Sequence, residues 1–298
     1  MNIVEIEGLA KSFGKIVALN GLDMHIPRGV SGFIGPNGAG KTTTINILAG
    51  LVKPTKGTAT IFGLDIRSES LEIRRRVRFM LENMYLPGHL SVEKYMKHVA
   101  CLCNSTFKEV IEVLEIVGLK RFKYRPIKSL SAGMMQRLRL AQVLLGNPEL
   151  IVLDEPTANL DPIGKIEILE KIAELNREKS INFLISSHIL PELERIIDWV
   201  SIINDGRIIA EGRLSDIIPR KKYNIFRIFS SDNKKLVNIL KSQGYSIEFK
   251  GSYVKVEAEN HWEFYKTLSS LINYGIYIYR VEAVGTSLNE VFRKMVKK

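Results

Sequence analysis

The chain has little that would tie it to an oxidising compartment or to the interior of a membrane. Its only cysteines are Cys101 and Cys103. On a helix this spacing points the thiols to different faces, so we expect free thiols in a reducing compartment. No apolar run approaches the length of about 20 residues that a membrane-spanning helix needs. The start, Met1–Glu5, has neither the basic residues nor the apolar run of a signal peptide.

Positive charge is in excess and lies mostly toward the C-terminal end. Lys and Arg outnumber Asp and Glu by 43 to 32, which gives a net charge of +11. Residues 219–298 hold 15 basic and 7 acidic residues, whereas residues 1–218 hold 28 and 25. Such an excess suits nucleic acid, an anionic membrane surface or solvent alone. A solvated face is the default interpretation.

One glycine-rich stretch predicts a nucleotide-binding protein. It matches the P-loop pattern and lies between a predicted buried strand at 30–34 and a helix that starts at the lysine. Backbone N–H groups of such a loop, with the helix N-terminus, form an anion site. We expect Lys41 to reach the β- and γ-phosphates and the Thr42 hydroxyl to ligate Mg²⁺. The predicted nucleotide contacts are Gly35, Pro36, Asn37, Gly38, Ala39, Gly40, Lys41, Thr42 and Thr43.

Two carboxylates follow a second predicted buried strand. The strand is the apolar run 150–153, and Asp154 and Glu155 come directly after it. Carboxylates at such a position are costly to desolvate unless they bind something cationic, such as the Mg²⁺ of a nucleotide. We therefore expect Asp154 to hold Mg²⁺ and Glu155 to position and activate an attacking water.

Three other residues are candidates because of where they lie. Phe13 falls in a predicted turn at 11–14, between strands at 3–6 and 21–26, and could stack on a nucleotide base. Glu82 and His188 each follow a predicted strand, and ligands of open α/β sheets collect at that end of the strands. An exposed Phe or a lone His is more often structural, so these residues gain weight only from the motifs around them.

The order of predicted elements indicates two domains. Residues 1–218 read as an α/β domain with antiparallel strands before the P-loop and a helical insertion at about 88–146. A linker is predicted at 219–222. Residues 223–298 read as strand, helix, hairpin, helix and strand, with a final helix at 287–297, which suggests a small ferredoxin-like βαββαβ module. No catalytic constellation is recognisable in it.

Several motifs, in order, make residues 1–218 resemble the ATP-binding subunit of an ABC transporter, a P-loop NTPase. Residues 35–42 resemble the Walker A loop, and 150–155 resemble Walker B with its catalytic glutamate. Residues 130–134, Leu-Ser-Ala-Gly-Met, followed by Gln136 and Arg137, resemble the signature loop, and 159–161 resemble the D-loop. His188 matches the switch histidine, and Phe13 occupies the place of the aromatic that stacks on adenine.

The resemblance implies an ATPase with catalytic Lys41, Glu155 and His188, and with ATP and Mg²⁺ as cofactors. Ser131, Ala132 and Gly133 would bind the ATP held by a second subunit, in a head-to-tail homodimer or heterodimer. Transmembrane permease subunits on a separate chain would place the protein on the cytoplasmic face of the membrane, and nucleic acid is not an expected partner.

Three positions depart from the family pattern. Glu82 stands where Gln is usual, and it could still ligate Mg²⁺ through oxygen while adding negative charge. Ala132 replaces a glycine, which is tolerable only if its φ is negative. Met134 replaces a Gln, so a polar contact is in doubt.

The tail favours an exporter, and two other functions stay open. Residues 287–292, Ser-Leu-Asn-Glu-Val-Phe, resemble an ending found in drug- and polysaccharide-exporting subunits. A soluble ABC-type ATPase that acts on ribosomes or nucleic acid would use the basic tail. Alternatively, the tail could bind a small molecule and regulate the ATPase, by analogy with other ferredoxin-like modules.

Overall fold

The chain forms two compact units, the first of which ends at Ile217. The computed structural model describes residues 2–82, 84–158, 160–217, 225–258 and 261–284. Within these ranges no helix has both the length and the apolarity to cross a membrane. The predicted linker at 219–222, the predicted helix at 287–297, the 287–292 motif and Asn159 of the D-loop lie outside the described residues.

The first unit contains strands and helices in alternation. Its strands are β1 (Asn2–Phe13), β2 (Ile16–Pro27), β3 (Val30–Ile34), β4 (Lys56–Ile61), β5 (Leu64–Asp65), β6 (Val77–Met80), β7 (Leu150–Asp154), β8 (Asn182–Ser187), β9 (Trp199–Asn204) and β10 (Arg207–Arg213). Its α-helices are α1 (Lys41–Leu48), α2 (Ser70–Arg76), α3 (Val92–Leu102), α4 (Phe107–Ile116), α5 (Ala132–Val143), α6 (Pro162–Lys179), α7 (Leu190–Leu193) and α8 (Leu214–Ile217).

A six-stranded sheet in the order β10-β9-β3-β8-β7-β6 positions the candidate site. Its strands are parallel except for β10, which forms an antiparallel hairpin with β9. All residues of β3, β7 and β8 are buried, as expected for central strands covered on both faces. The strands β3, β8 and β7 are adjacent and parallel, so their carboxyl ends lie at the same edge of the sheet. The P-loop after β3 and the carboxylates at the end of β7 therefore lie close together at that edge.

An antiparallel sheet in the order β2-β1-β4-β5 forms a second layer, as the sequence predicts. The extent of β1 differs from the prediction, because residues 11–13 belong to the strand and not to a turn. Ser12 pairs with Val17 and Phe13 with Ile16, which leaves only Gly14 and Lys15 to reverse the chain. Register shifts in this pair let the strands continue as a long hairpin instead of ending early.

The helical insertion consists of α3, α4 and α5, with their apolar stripes buried. Local sequence signals fix where these helices begin. Thr106 and Glu109 form a reciprocal capping box at the start of α4. Ser131 caps α5, and its side-chain oxygen accepts a hydrogen bond from the Met134 amide at 3.2 Å.

The second unit folds around a core of its own. Its elements are β11 (Ile225–Ser230), α9 (Asn233–Ser242), β12 (Ser246–Phe249), β13 (Val254–Glu257), α10 (His261–Ser270) and β14 (Ile278–Val284). They form an antiparallel sheet in the order β12-β13-β11-β14. The buried side chains include Phe226, Ile228, Leu236, Val254 and Phe264. The element order βαββαβ is the one that the sequence predicts for residues 225–284.

Candidate functional site

The P-loop links the end of β3 to the start of α1 and needs glycine at two positions for steric reasons. A Cβ at Gly35 would lie 2.5 Å from the Ile203 carbonyl oxygen. Gly40 has a φ of +112°, and a Cβ there would lie 2.8 Å from the Ala18 carbonyl oxygen. The loop can follow this tight path only with glycine at positions 35 and 40. On this path the amides at the start of α1 are available to bind an anion.

Lys41 is buried and its ammonium group is already held by the loop. Its Nζ donates to the carbonyl oxygens of Gly35 at 2.8 Å and Pro36 at 3.2 Å. Glu155 Oε1 lies 3.6 Å from the same nitrogen. Burial of a charged amine is tolerable here because three oxygens surround it.

Ser186 fixes the two carboxylates at the end of β7. Asp154 and Ser186 are paired across the parallel β7–β8 register. The Ser186 hydroxyl donates to Asp154 Oδ1 at 2.6 Å and accepts the Glu155 amide at 3.0 Å. Glu155 has a φ of +49°, a left-handed conformation that is strained for a residue with a side chain. The strain is found at the residue that the sequence marks as catalytic.

One cleft of about 310 Å³ brings most of the predicted residues together. It is lined by Ala18, Asn37, Gly38, Gly40, Lys41, Thr42, Thr43, Glu82, Glu155, Ala158 and His188. His188 Nδ1 lies 3.0 Å from Glu155 Oε2, so Glu155 stands between the histidine and the lysine. The cleft thus combines an anion-binding loop with a carboxylate that is held in place on both sides.

The donor atoms fit a magnesium ion that is shared with a nucleotide. Asp154 Oδ2 is buried and has no hydrogen-bond partner. Thr42 is exposed in the cleft, and Glu82 lines it. Among the described residues, no group of three or more acidic, His or Cys side chains is arranged to hold a metal alone. Mg²⁺ is commonly held by one or two carboxylates together with substrate phosphates, so this donor set is suitable.

The signature-loop residues are not part of this cleft. Ser131 and Gly133 line a separate pocket of about 360 Å³, together with Leu160 and Asp161. Ala132 is the first residue of α5 and is not among the residues with positive φ. Its replacement of glycine is therefore accommodated without backbone strain.

Phe13 is also outside the cleft. It ends β1, its side chain is 49% exposed, and Lys11 Nζ lies 4.8 Å from the ring centroid. One face of the aromatic ring is already engaged by a cation. The stacking of Phe13 on a base stays a prediction.

Two buried polar residues near the site, Gln136 and Thr157, were given no role of their own from the sequence. Gln136 donates from Nε2 to the Pro156 carbonyl oxygen at 2.5 Å. Thr157 donates to Glu192 Oε2 at 3.0 Å, and Lys165 donates to Oε1 of the same carboxylate at 2.6 Å. The sequence marked Gln136 only as part of the motif that resembles the signature loop. Its partner could be known only from the packing of α5 against the β7 end.

Comparison with known proteins identifies the family. The family model described as "ABC transporter" matches residues 19–158. The bacitracin transport ATP-binding protein BcrA of Bacillus licheniformis is 40% identical over 238 residues, which cover 79% of this chain and 78% of that protein. BcrA of Enterococcus faecalis is 31% identical over 301 residues, covering 99% of this chain and 96% of the relative.

A solved structure agrees with these relatives. The dimeric structure of MJ0796, a bacterial ABC transporter cassette, has a TM-score of 0.65 and 25% identity, and covers 71% of this chain and 98% of that one. The fold is therefore that of a P-loop ABC ATPase in the region of the first unit. The chain belongs to the ABC transporter family, as an ATP-binding subunit that hydrolyses ATP to power transport.

Proposed function

We propose that this chain hydrolyses Mg²⁺-ATP at a site completed by a second subunit, and thereby energises an exporter whose permease is a separate chain. The observation that carries the proposal is the division of the site residues. Lys41, Glu155 and His188 share one cleft, whereas Ser131 and Gly133 face another pocket. A single subunit therefore offers two half-sites on different surfaces, which suits a head-to-tail dimer.

Within the cleft, ATP binding has to rearrange the contacts of Lys41. In the free subunit the ammonium group is satisfied by P-loop carbonyls and lies near Glu155. The β- and γ-phosphates would compete for this cation and so loosen its attraction to the Glu155 carboxylate. Glu155 would then be free to orient a water toward the γ-phosphate and accept its proton. His188, 3.0 Å from Glu155, keeps that carboxylate in place.

Thr42, Asp154 and Glu82 are the residues proposed to hold Mg²⁺. When bound, the ion would neutralise charge on the phosphate oxygens. Thr42 offers a hydroxyl in the cleft, and Asp154 offers an oxygen that lacks a partner. Ser186 leaves that oxygen free because it occupies only Oδ1.

The signature loop is proposed to close on the ATP of the partner subunit. Ser131, Ala132 and Gly133 stand at the N-terminus of α5, a helix long enough to present amides and partial positive charge to a phosphate. Apart from its own helix and chain neighbours, the described atom nearest to the position of a Cβ on Gly133 is Leu160 Cδ2, at 3.8 Å. The dimeric cassette among the structural neighbours supports this arrangement.

The transporter assignment rests on the named relatives, whereas the direction of export rests on the resemblance of residues 287–292 to the ending of exporter subunits. Two relatives that cover most of this chain are named for bacitracin transport, and one of them covers it almost completely. We infer the same general role here, with permease subunits that span the membrane and a peripheral location on its cytoplasmic face. The alternative of nucleic-acid binding through the basic tail is weaker, because Lys250 and Lys255 pair with Glu248 and Arg280 pairs with Glu282.

The decisive variant is Glu155→Gln in the full-length chain. Loss of the carboxylate base should lower the rate of ATP hydrolysis by about a hundredfold or more. Closure on ATP should survive, so light scattering after size exclusion should detect an ATP-dependent dimer that does not form with ADP. Glu72→Gln, at an exposed position on α2, is the matched control and should behave as wild type. Hydrolysis by Glu155→Gln at the wild-type rate would refute the assignment.

A further inference from the structure

A line of polar contacts joins the loop after Glu82 to the turn after Glu155. Both residues line the nucleotide cleft. The contacts between them run through two side chains of α5, Gln136 and Arg139. Neither side chain lines the cleft, so neither would touch ATP or water directly.

Gln136 anchors the peptide between Pro156 and Thr157, one unit beyond the peptide that follows Glu155. It is 5% exposed, and its Nε2 donates to the Pro156 carbonyl oxygen at 2.5 Å. Glu155 itself is in the left-handed region, so its backbone depends on neighbours to hold it there. The Ser186 hydroxyl binds its amide, and Gln136 binds the carbonyl of Pro156, the next residue. These two contacts hold the chain on both sides of Glu155, in the peptide before its Cα and in the peptide after the Pro156 Cα.

Arg139 in turn fixes the orientation of Gln136. Its guanidinium donates to Gln136 Oε1 at 3.1 Å and to the Met84 carbonyl oxygen at 3.2 Å. A guanidinium only donates and a carbonyl oxygen only accepts, so the amide of Gln136 is suited to bridge them. With Oε1 facing Arg139, Nε2 must face Pro156. Met84 is two residues after Glu82, which ties the orientation of this amide to the position of that loop.

The surroundings of Arg139 show that the link is partly buried. Its Nε is buried without a partner. Tyr95 and Gln142 contact each other beside it, and Gln142 also contacts the Met84 sulfur. Burial raises the pKa of Tyr95, and the charge of Arg139 partly offsets this rise. A displacement of Met84 would therefore be felt by Arg139, since it would break the hydrogen bond between the guanidinium and the Met84 carbonyl oxygen.

We propose that Gln136 and Arg139 are positioning residues that couple the Glu82 loop to the orientation of the Glu155 carboxylate. The inference rests on the catalytic role proposed above for Glu155. The two residues act on their own subunit, yet they stand on the helix whose first residues serve the partner's ATP. A movement of α5 at one ATP site of a dimer would thus also change the position of the residues that serve the other ATP site.

The test compares Gln136→Ala, Arg139→Ala and the double variant in the full-length chain. Each should lower kcat by about tenfold while KM for ATP stays within about twofold, because Glu155 is misoriented but the P-loop is intact. Since Arg139 acts through Gln136, the double variant should lose no more than Gln136→Ala alone. Rates are expressed per bound nucleotide, measured with a fluorescent ATP analogue, so that unfolded protein does not count.

Controls separate the positioning link from the proposed catalytic role. Arg75→Ala removes an arginine at an exposed position on α2 and should leave kcat unchanged. An inactive Glu155→Gln together with wild-type kcat in the α5 variants would overturn the link alone. Wild-type activity in Glu155→Gln would instead overturn the catalytic role. Losses that add in the double variant, or that vanish when expressed per bound nucleotide, would also overturn the link.

Discussion

The two units of the chain bury different kinds of side chain. Among the described residues, every buried polar or charged side chain lies between residues 31 and 201 of the first unit. The buried residues described in the second unit are all apolar. Four of the buried polar residues, Lys41, Asp154, Glu155 and Ser186, lie at or beside the cleft. In the second unit, charged side chains such as Lys255 and Glu248 pair at the surface.

The buried polar side chains of the first unit indicate a chemical role, whereas the apolar core of the second unit indicates packing alone. Burying a polar group costs free energy unless it is hydrogen-bonded or paired, so a fold keeps such groups where they have a use. The first unit keeps four of them, Lys41, Asp154, Glu155 and Ser186, at the sheet edge where nucleotide would bind. The second unit follows the ordinary rule for a domain core. Changes in the first unit should therefore alter activity, and changes in the second should alter stability.

The largest expected effect is on the core of the second unit. Phe264 is fully buried, and its ring centroid lies 4.4 Å from that of Phe226. Phe264→Ala should lower the free energy of unfolding of this unit by about 3–5 kcal/mol. Urea unfolding should then show an early transition while ATP affinity stays at the wild-type value. Tyr277→Ala, at a 65% exposed aromatic of the same unit, is the control. A fall in ATP affinity in Phe264→Ala would contradict the claim that changes in the second unit alter stability alone.

In the first unit, Lys41→Ala is expected to change ATP affinity, which Phe264→Ala in the second unit should leave unchanged. Removal of the charged donor should weaken ATP binding about thirtyfold to a hundredfold, because hydrogen bonds to charged groups contribute about 2–3 kcal/mol. Isothermal titration with ATP measures the loss. Lys108→Ala removes an exposed lysine from α4 and should not change the affinity. Wild-type affinity in Lys41→Ala would show that the cleft is not where nucleotide binds.

The smallest expected effect is on the free energy of unfolding, from the surface pair of Arg76 and Glu149. This effect should be present at neutral pH and lost in acid. Arg76 donates to Glu149 through Nε at 2.5 Å and Nη2 at 3.0 Å, and this hydrogen bonding lowers the pKa of Glu149 from 4.5. A lowered pKa stabilises the fold above pH 4.5, and that contribution is lost as the pH falls below 4.5. Both side chains are partly exposed, so Glu149→Gln should cost about 0.5 kcal/mol at pH 7. Urea unfolding of wild type and Glu149→Gln at pH 7 and in acid measures this loss of free energy of unfolding. An equal loss at both pH values would contradict the pairing.

The sequence was sufficient for parts of the site that are local in the chain. The P-loop, its flanking strand and helix, and the carboxylates after β7 follow from short patterns, because each depends on neighbouring residues. The cap of α5 at Ser131 is local as well. These are the features that the structure positions as predicted.

Features that depend on which strands are neighbours could not be predicted in this way. Ser186 binds Asp154 and Glu155 only because β8 lies beside β7 in register. Gln136 reaches Pro156 only through the packing of α5. The extension of β1 to Phe13 arises from pairing with β2, and register shifts of that kind have no clear sequence signal.

The most direct test of the account mixes two inactive full-length variants. Lys41→Ala breaks the P-loop half-site, and Ser131→Arg blocks the signature half-site. In a mixed head-to-tail dimer, one ATP site would combine the intact P-loop with the intact signature loop. With random pairing, half of the dimers are mixed and have one good site, so mixing should restore about a quarter of the wild-type ATPase rate. A mixture no more active than either variant alone would contradict a site shared between subunits.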